Sequence, residues 1–497
     1  MTTRRDFMKV LGAASALGLI ESSLLPRALA ADTSLGYLAH RTASAEGTWM
    51  LERVDGVVPR ELNGELYRVA PGQKETFGVK LRHLFDGDAF ASRYRFREGK
   101  VDLLARFIDT PQRREELKAG EMLFREYGTR TPPSASTRKR FRPKFAPSVN
   151  IIRWDSRLLG LSEGGHPTAI DPIDLSYQQD WDFYGTLAPE VSFTAHPRFD
   201  AQTGEGYAYG TARGEKLTLM VYRMQLDGRL KQLYALPQKD YFMIHDMLLT
   251  REHIILVVPP LRLDVAQLLT GQTSVADALI YAEREPMRFV ILRKDGAAAP
   301  VIIDAPAAFV FHHGNAFEQN GRIIMDSILY PDASTLAVLH AFGREQQPPV
   351  PPNVLTRLTL DPIARAIVSR TELSTREELP RFDPRRVGVD ARYLYAVSRS
   401  VDVPFVGTGI VRHDLHRAKT IDVAAGSERV YGEPVFVPHP GQTAEDRGWV
   451  LVQGYDARRD ETFLEIRDAG TLGFEARVWT GQHFPLGFHG NFHETRA

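Results

Sequence analysis

The sequence contains no cysteine. That single absence excludes disulfides, iron–sulfur clusters, thiolate zinc sites and thiol nucleophiles together. Charge of one sign is lacking as well. Lys+Arg and Asp+Glu are both 62, so there is no basic excess to draw nucleic acid and no acidic tail. The apolar stretch from Val10 to Ile20 falls well short of the roughly 20 residues that a bilayer-spanning helix needs. No clean dinucleotide-binding glycine loop follows a strand-like run, and strand–helix alternation is missing, which argues against a doubly wound sheet. His-Glu-x-x-His is absent too. A metal in this chain must therefore be held by nitrogen and oxygen, and 15 histidines are available.

At 497 residues and 43% hydrophobic, the chain can bury a large core. The N-terminus stands apart from that core. Arg4-Arg5-Asp6-Phe7-Met8-Lys9, the apolar stretch and the small-residue exit Ala28-Leu29-Ala30 resemble a twin-arginine signal, which exports folded proteins. An ordinary secretory signal or a retained anchor is the alternative. The reading assigns residues 1–30 to a signal peptide, starts the mature domain at Ala31 and predicts a periplasmic or otherwise exported protein. Folded export suits a protein that acquires its metal in the cytoplasm.

The remainder reads as all-β. Runs rich in β-branched and aromatic residues recur at Leu217–Tyr222, Ile254–Val258, Phe289–Leu292, Arg322–Ile328, Tyr393–Ser398, Trp449–Gln453 and Phe463–Ile466. Many run into turns such as Leu226-Asp227-Gly228 and Lys294-Asp295-Gly296. Strands at this density fit a propeller or a large sandwich, but no crisp repeat counts the blades. One segment, 259–282, departs from the pattern with apolar residues at roughly helical spacing. It reads either as a buried cap helix or as an exposed apolar patch that takes lipophilic substrate from a membrane.

Histidine spacing alone picks out no local metal site. His489 and His493 are spaced i,i+4, yet Pro485, Gly487 and Gly490 make a helix there doubtful, so the pair is rejected. A longer-range pattern is informative. It begins with Asn63-Gly64-Glu65-Leu66-Tyr67-Arg68 and the box His83-Leu84-Phe85-Asp86-Gly87-Asp88-Ala89-Phe90. The block from Asn150 to Glu163 follows, then Phe193-Thr194-Ala195-His196-Pro197 and Ile244-His245-Asp246. Phe311-His312-His313-Gly314-Asn315 and Pro485-Leu486-Gly487-Phe488-His489-Gly490-Asn491 complete it. In this order the series resembles the carotenoid cleavage oxygenases from about residue 50 onward.

The resemblance implies a seven-bladed β-propeller over residues 31–497, with a loop and helix dome covering a metal on the axis. It implies Fe(2+) held by His196, His245, His312 and His489, with His312 rather than His313 as the ligand of its motif. It also implies that Glu163, Glu378 and Glu433 orient His245, His312 and His489 in turn, while His196 has no glutamate partner. The chemistry is consistent with that set. Four neutral imidazoles suit a divalent ion with positions left open, and a carboxylate on the outer ring nitrogen fixes the tautomer. Two of these glutamates lie beside apolar sequence, Leu158–Leu161 and Val435–Val437, where an unpaired charge would be costly.

The implied activity is dioxygenase cleavage of a conjugated C=C bond with O2, giving two carbonyl products, and the implied substrate is a lipophilic polyene. Phe85, Phe90, Phe309, Phe311 and Phe488 are candidates for lining its passage, with core packing the commoner role for any one of them. Stilbene-cleaving relatives carry a Lys just before the first glutamate; here the residue is Ser162. That tilts the reading to an apocarotenoid or carotenoid, with a phenolic stilbene or phenylpropanoid as the alternative. Val149 falls where relatives place a small or branched residue beside the metal. A non-catalytic propeller binding protein is the third reading, and it has no need of four His and three Glu.

Overall fold

A computed structural model describes residues 34–132, 142–213, 217–342, 348–400 and 403–494. The twin-arginine-type segment, residues 1–30, lies outside the described residues. Every strand-like run expected from the sequence falls on a strand, Leu217 alone lying outside one, and each observed strand extends past its predicted core at one end or both. Trp449–Gln453, for example, lies within Gly448–Asp456, and Phe463–Ile466 within Glu461–Asp468. Polar residues such as Asp456 and Glu461 pair across the hairpin end and carry the ladder beyond the apolar stretch.

Blades can be counted from the pairing. Five sheets of four or five antiparallel strands stand separately, and a nine-stranded sheet is two blades joined by a single bridge, Gly407 to Tyr431. The total is seven. The innermost strands are Asn150–Trp154, Arg198–Phe199, Met247–Leu249, Phe309–Gln319, Glu377–Arg381, Arg429–Pro438 and His489–Glu494. Most pack side by side around the axis, and the Asn150 amide bridges to Ala195 O across one gap at 2.8 Å.

The ring closes by mixing sequence ends: His489–Glu494 pairs with Gly64–Pro71, which continues through Ala89–Arg97 and Lys100–Phe107 to Gly47–Met50. Apolar faces of neighbouring blades then bury one another, as where Leu66, Phe96 and Leu103 meet Val435, Leu451 and Ile466. Long connections gather at one end and share an apolar cluster. Leu84, Leu261, Leu339, Phe342 and Phe405 pack there with Phe309 and Phe311 from one inner strand and Phe488 just before another. This is the dome.

The 259–282 segment is not the buried cap helix that its spacing allowed. It is a two-stranded ribbon, Leu261–Leu263 with Leu279–Tyr281, around the short helix Val265–Leu269. Leu261 is buried, but Val265, Leu269 and Ile280 are 51%, 77% and 50% exposed. Phe90 takes the commoner of its two expected roles, core packing. It packs on Phe107 and Phe484 between blades, because alternation along Ala89–Arg97 turns it away from the axis.

Ring closure yields a direct test. A Cβ on Gly487 would lie 2.5 Å from Val69 O, a backbone atom with little freedom to retreat. Gly487→Ala is expected to cost about 1–3 kcal/mol of stability through overpacking, read as a lower denaturant midpoint. An unchanged midpoint would show that the closing strand does not set stability.

Candidate metal centre

Six of the seven innermost strands, or the residues just before them, bring a histidine or a glutamate to the axis. His196 and His245 lie in extended backbone just before Arg198–Phe199 and Met247–Leu249, His312 lies within Phe309–Gln319, and His489 opens the last strand. Glu378 and Glu433 sit on the inner strands of two of the three blades that bring no histidine to the axis. The register slips beside three of these residues: between Val310 and His313, between Glu378 and Arg381, and between Tyr431 and Pro434. A bulge breaks the two-residue alternation and re-aims a side chain, so an otherwise regular blade can turn His312, Glu378 and Glu433 inward. At Glu378 the irregularity includes Leu379, a non-glycine residue at φ 55°.

The four imidazoles converge despite their sequence separation. Successive Nε2 atoms lie 3.2, 3.2 and 3.1 Å apart from His196 to His245, His312 and His489. Nitrogens bound at right angles at about 2.1 Å would be about 3.0 Å apart, so the spacing suits one first-row ion. Ring centroids of the four adjacent pairs are 4.4–4.9 Å apart, whereas the two opposite pairs are at 5.6 and 6.4 Å. A tetrahedral cage would make all six equal. The set is open, and a centre between these atoms has room for further ligands. All four rings are buried.

The expected carboxylate partners are in place. Glu378 Oε2 is 2.6 Å from His312 Nδ1, Glu433 Oε1 is 2.9 Å from His489 Nδ1, and Glu163 Oε1 contacts His245 Nδ1. Among the described residues no ion pair joins His196 to a carboxylate. Each partner claims the outer nitrogen, leaving the inner Nε2 lone pair for the centre. Burial holds His196 well below the usual imidazole range and takes His489 to about 4, against the opposing pull of Glu433. Both are neutral donors at ordinary pH. At His245 burial pushes the same way, but the Glu163 carboxylate outweighs it and raises the pKa.

The glutamates are supported unequally. Glu378 is fully buried, accepts the Tyr330 hydroxyl at 2.6 Å and the Leu379 N–H at 2.8 Å. Burial alone would raise the Glu433 pKa, yet Arg381, His489 and Arg68 bring it down to about 2. Glu163 departs from the apolar setting its sequence neighbours suggested. Its side chain is 32% exposed, on the dome side where Phe85, Tyr127 and Tyr241 are only half-buried. The leucines before it point into the interfaces between blades instead.

Sequence reasoning missed the clamp that ties three histidine-bearing blades together. Arg198, two residues after His196, meets Asp246 at 2.6 Å and donates to His313 O at 3.2 Å. Asp246 in turn accepts the His313 N–H at 3.0 Å. His313 itself turns away, its Nδ1 2.8 Å from Ser327 Oγ. The signal was a charged residue within two positions of each of two candidate ligands. His493 lies outside the cluster, against the Tyr67 ring.

Glu378→Gln is expected to keep the fold and weaken metal retention about 10–100-fold, since an amide supports the His312 tautomer less well. Metal content after dialysis against a graded chelator series reads it; full retention would make Glu378 a bystander.

The comparisons agree with this geometry. The model of the family described as RPE65, retinal pigment epithelial membrane protein, matches residues 40–494. Apocarotenoid-15,15'-oxygenase of Synechocystis is 30% identical over 475 residues, covering 92% of this chain and 95% of the relative. Resveratrol cleavage oxygenase 1 of Aspergillus fumigatus is 26% identical, with 91% and 93% covered. The crystal structure of cobalt-substituted Synechocystis ACO superposes with a TM-score of 0.86 at 29% identity, covering 93% of this chain and 98% of that one. A seven-bladed propeller with four imidazoles on its axis, matched along nearly its whole length, places this chain in the RPE65/carotenoid cleavage oxygenase family.

Proposed function

We propose that the protein is a dioxygenase that cleaves a conjugated C=C bond of an apocarotenoid or carotenoid with O2, leaving a carbonyl on each fragment. The observation that carries this reading is the convergence of four buried, carboxylate-oriented imidazoles beneath an aromatic dome. His196, His245, His312 and His489 would hold Fe(2+), a nitrogen-only donor set that suits iron and leaves its dipositive charge intact. When bound, the ion supplies the redox chemistry that lets O2 react with the alkene.

The chain's own residues do the rest. Glu163, Glu378 and Glu433 hold protons on the outer ring nitrogens and keep the inner ones free. Phe311, 5.2 Å from the His245 ring, and Phe405, 5.6 Å from His312, cover the imidazoles with apolar surface. Phe85 and Phe488 continue it, 5.3 Å apart. A polyene binds such a wall by burying its length, worth about 25 cal/mol per Å2 before ordering costs. Which double bond meets the imidazoles is then set by how far the chain slides.

A phenolic substrate is the second reading, favoured by Tyr127 and Tyr241. Burial raises both phenols, with Glu163 adding to it, and Tyr241 reaches about 12, so both remain hydrogen-bond donors. Export through the N-terminal signal belongs to the proposal, as does peripheral membrane contact. The exposed Val265, Leu269 and Ile280 give the 259–282 ribbon an apolar outer surface suited to a lipid interface.

Ser162 discriminates between the two substrate classes. Its hydroxyl is buried and has no hydrogen-bond partner among the described residues, next to Glu163. It has neither the reach nor the charge of an ammonium anchor for a phenol. The iron-loaded protein is expected to cleave apocarotenals in preference to hydroxystilbenes, with carbonyl products identified by mass spectrometry. Ser162→Lys is expected to reverse the order of the two kcat/KM values. A parent protein that already prefers hydroxystilbenes would overturn the polyene reading.

A further inference from the structure

The imidazole cluster has two unlike faces. One is covered by the dome aromatics. Against the other lies a cavity of ≈ 140 Å3, bounded by His196, His312 and His489. None of Phe85, Phe311, Phe405 or Phe488 lines it. Its lining is mixed: Asn150, Asn491, Asp246 and Glu433 supply polar groups among apolar residues such as Pro197 and Leu379, and it extends to the half-buried Val387 and the exposed Pro384. The cavity therefore joins the imidazoles to solvent by a path separate from the apolar dome.

We propose that this axial cavity is the route by which a hydrated divalent cation enters and leaves the four-histidine site. The inference rests on the imidazoles holding a metal, and it assigns the two faces different traffic: ions from one side, lipophilic substrate from the other. The reason is solvation. A dipositive ion stripped of water among aromatic side chains loses far more free energy than such a wall can return. Amide and carboxylate oxygens can replace water molecules one at a time.

The charges along the wall fit this use. Arg198 is held by Asp246 at 2.6 Å and Arg381 by Glu433 at 2.9 Å, so each guanidinium is offset by a carboxylate and the path carries little net positive field. The outer end is fixed. The Asn315 amide donates to Arg386 O at 2.9 Å and to Val389 O at 2.6 Å, which holds the backbone on either side of Val387. A larger side chain at 387 narrows the mouth without touching an imidazole or its glutamate.

The test uses full-length, metal-free protein and Co2+ as the probe, since a solved relative is cobalt-substituted. Uptake is followed by the visible absorption of imidazole-bound cobalt in stopped flow, and release by adding excess chelator. Val387→Trp is expected to slow uptake and release alike by about tenfold or more with unchanged Kd, because a narrowed passage raises one barrier crossed in both directions. Parental rates in a folded Val387→Trp protein overturn the route. If that variant does not fold, Pro384→Trp on the exposed rim takes its place with the same two outcomes. Failure of the parent itself to bind Co2+ overturns the four-histidine reading beneath the proposal, and is distinguishable because it abolishes the signal rather than leaving its rate unchanged.

Discussion

Four imidazoles can serve one centre in a small buried space only if each turns an unprotonated nitrogen inward. That constraint organises the molecule. Burial enforces neutrality at His196 and His489, and hydrogen bonds donated to Glu378 and Glu433 fix the ring orientation at His312 and His489. The carboxylates then need partners of their own, which Tyr330, Arg381 and the Gly490 N–H provide. A polar network this far from water is stabilising only when its members are satisfied, and here the satisfaction runs from ring to carboxylate to arginine.

The propeller makes such a network possible because every blade presents one strand to a common axis. Regular strands would alternate their side chains between the two faces of a blade and aim few of them at a point. The register slips at His312, Glu378 and Glu433 remove that restriction locally. The clamp of Arg198, Asp246 and the His313 backbone then fixes the spacing between blades that no sheet hydrogen bond connects.

Much of this was legible in the sequence, and the remainder failed for identifiable reasons. Strands were visible because β-branched and aromatic runs alternate, although their polar ends, such as Asp456 and Glu461, were hidden until pairing was known. The site histidines and their glutamates were legible as an ordered series of motifs and not through spacing, since a site assembled from separate blades leaves no local signature. Blade number was legible only through the family resemblance, because the blades share no sequence repeat that could be counted. Periodicity in 259–282 marked an apolar stripe but could not say whether anything covers it, and Val265 and Leu269 prove exposed. Which of the motif aromatics face the axis depends on strand alternation, and Phe90 packs between blades instead. The Arg198–Asp246 clamp lay in plain view, yet pairing across 48 residues is invisible without the fold.

The strand that closes the ring also carries the last imidazole. His489 follows His312 by 177 residues and is set in place only when its strand pairs with Gly64–Pro71. During synthesis three imidazoles therefore leave the ribosome long before the fourth, and the early chain offers a divalent ion only an incomplete and unclosed set. Stable capture of metal has to wait for ring closure. An ion held by all four imidazoles would then link the closing strand to three other blades and stabilise the closed ring.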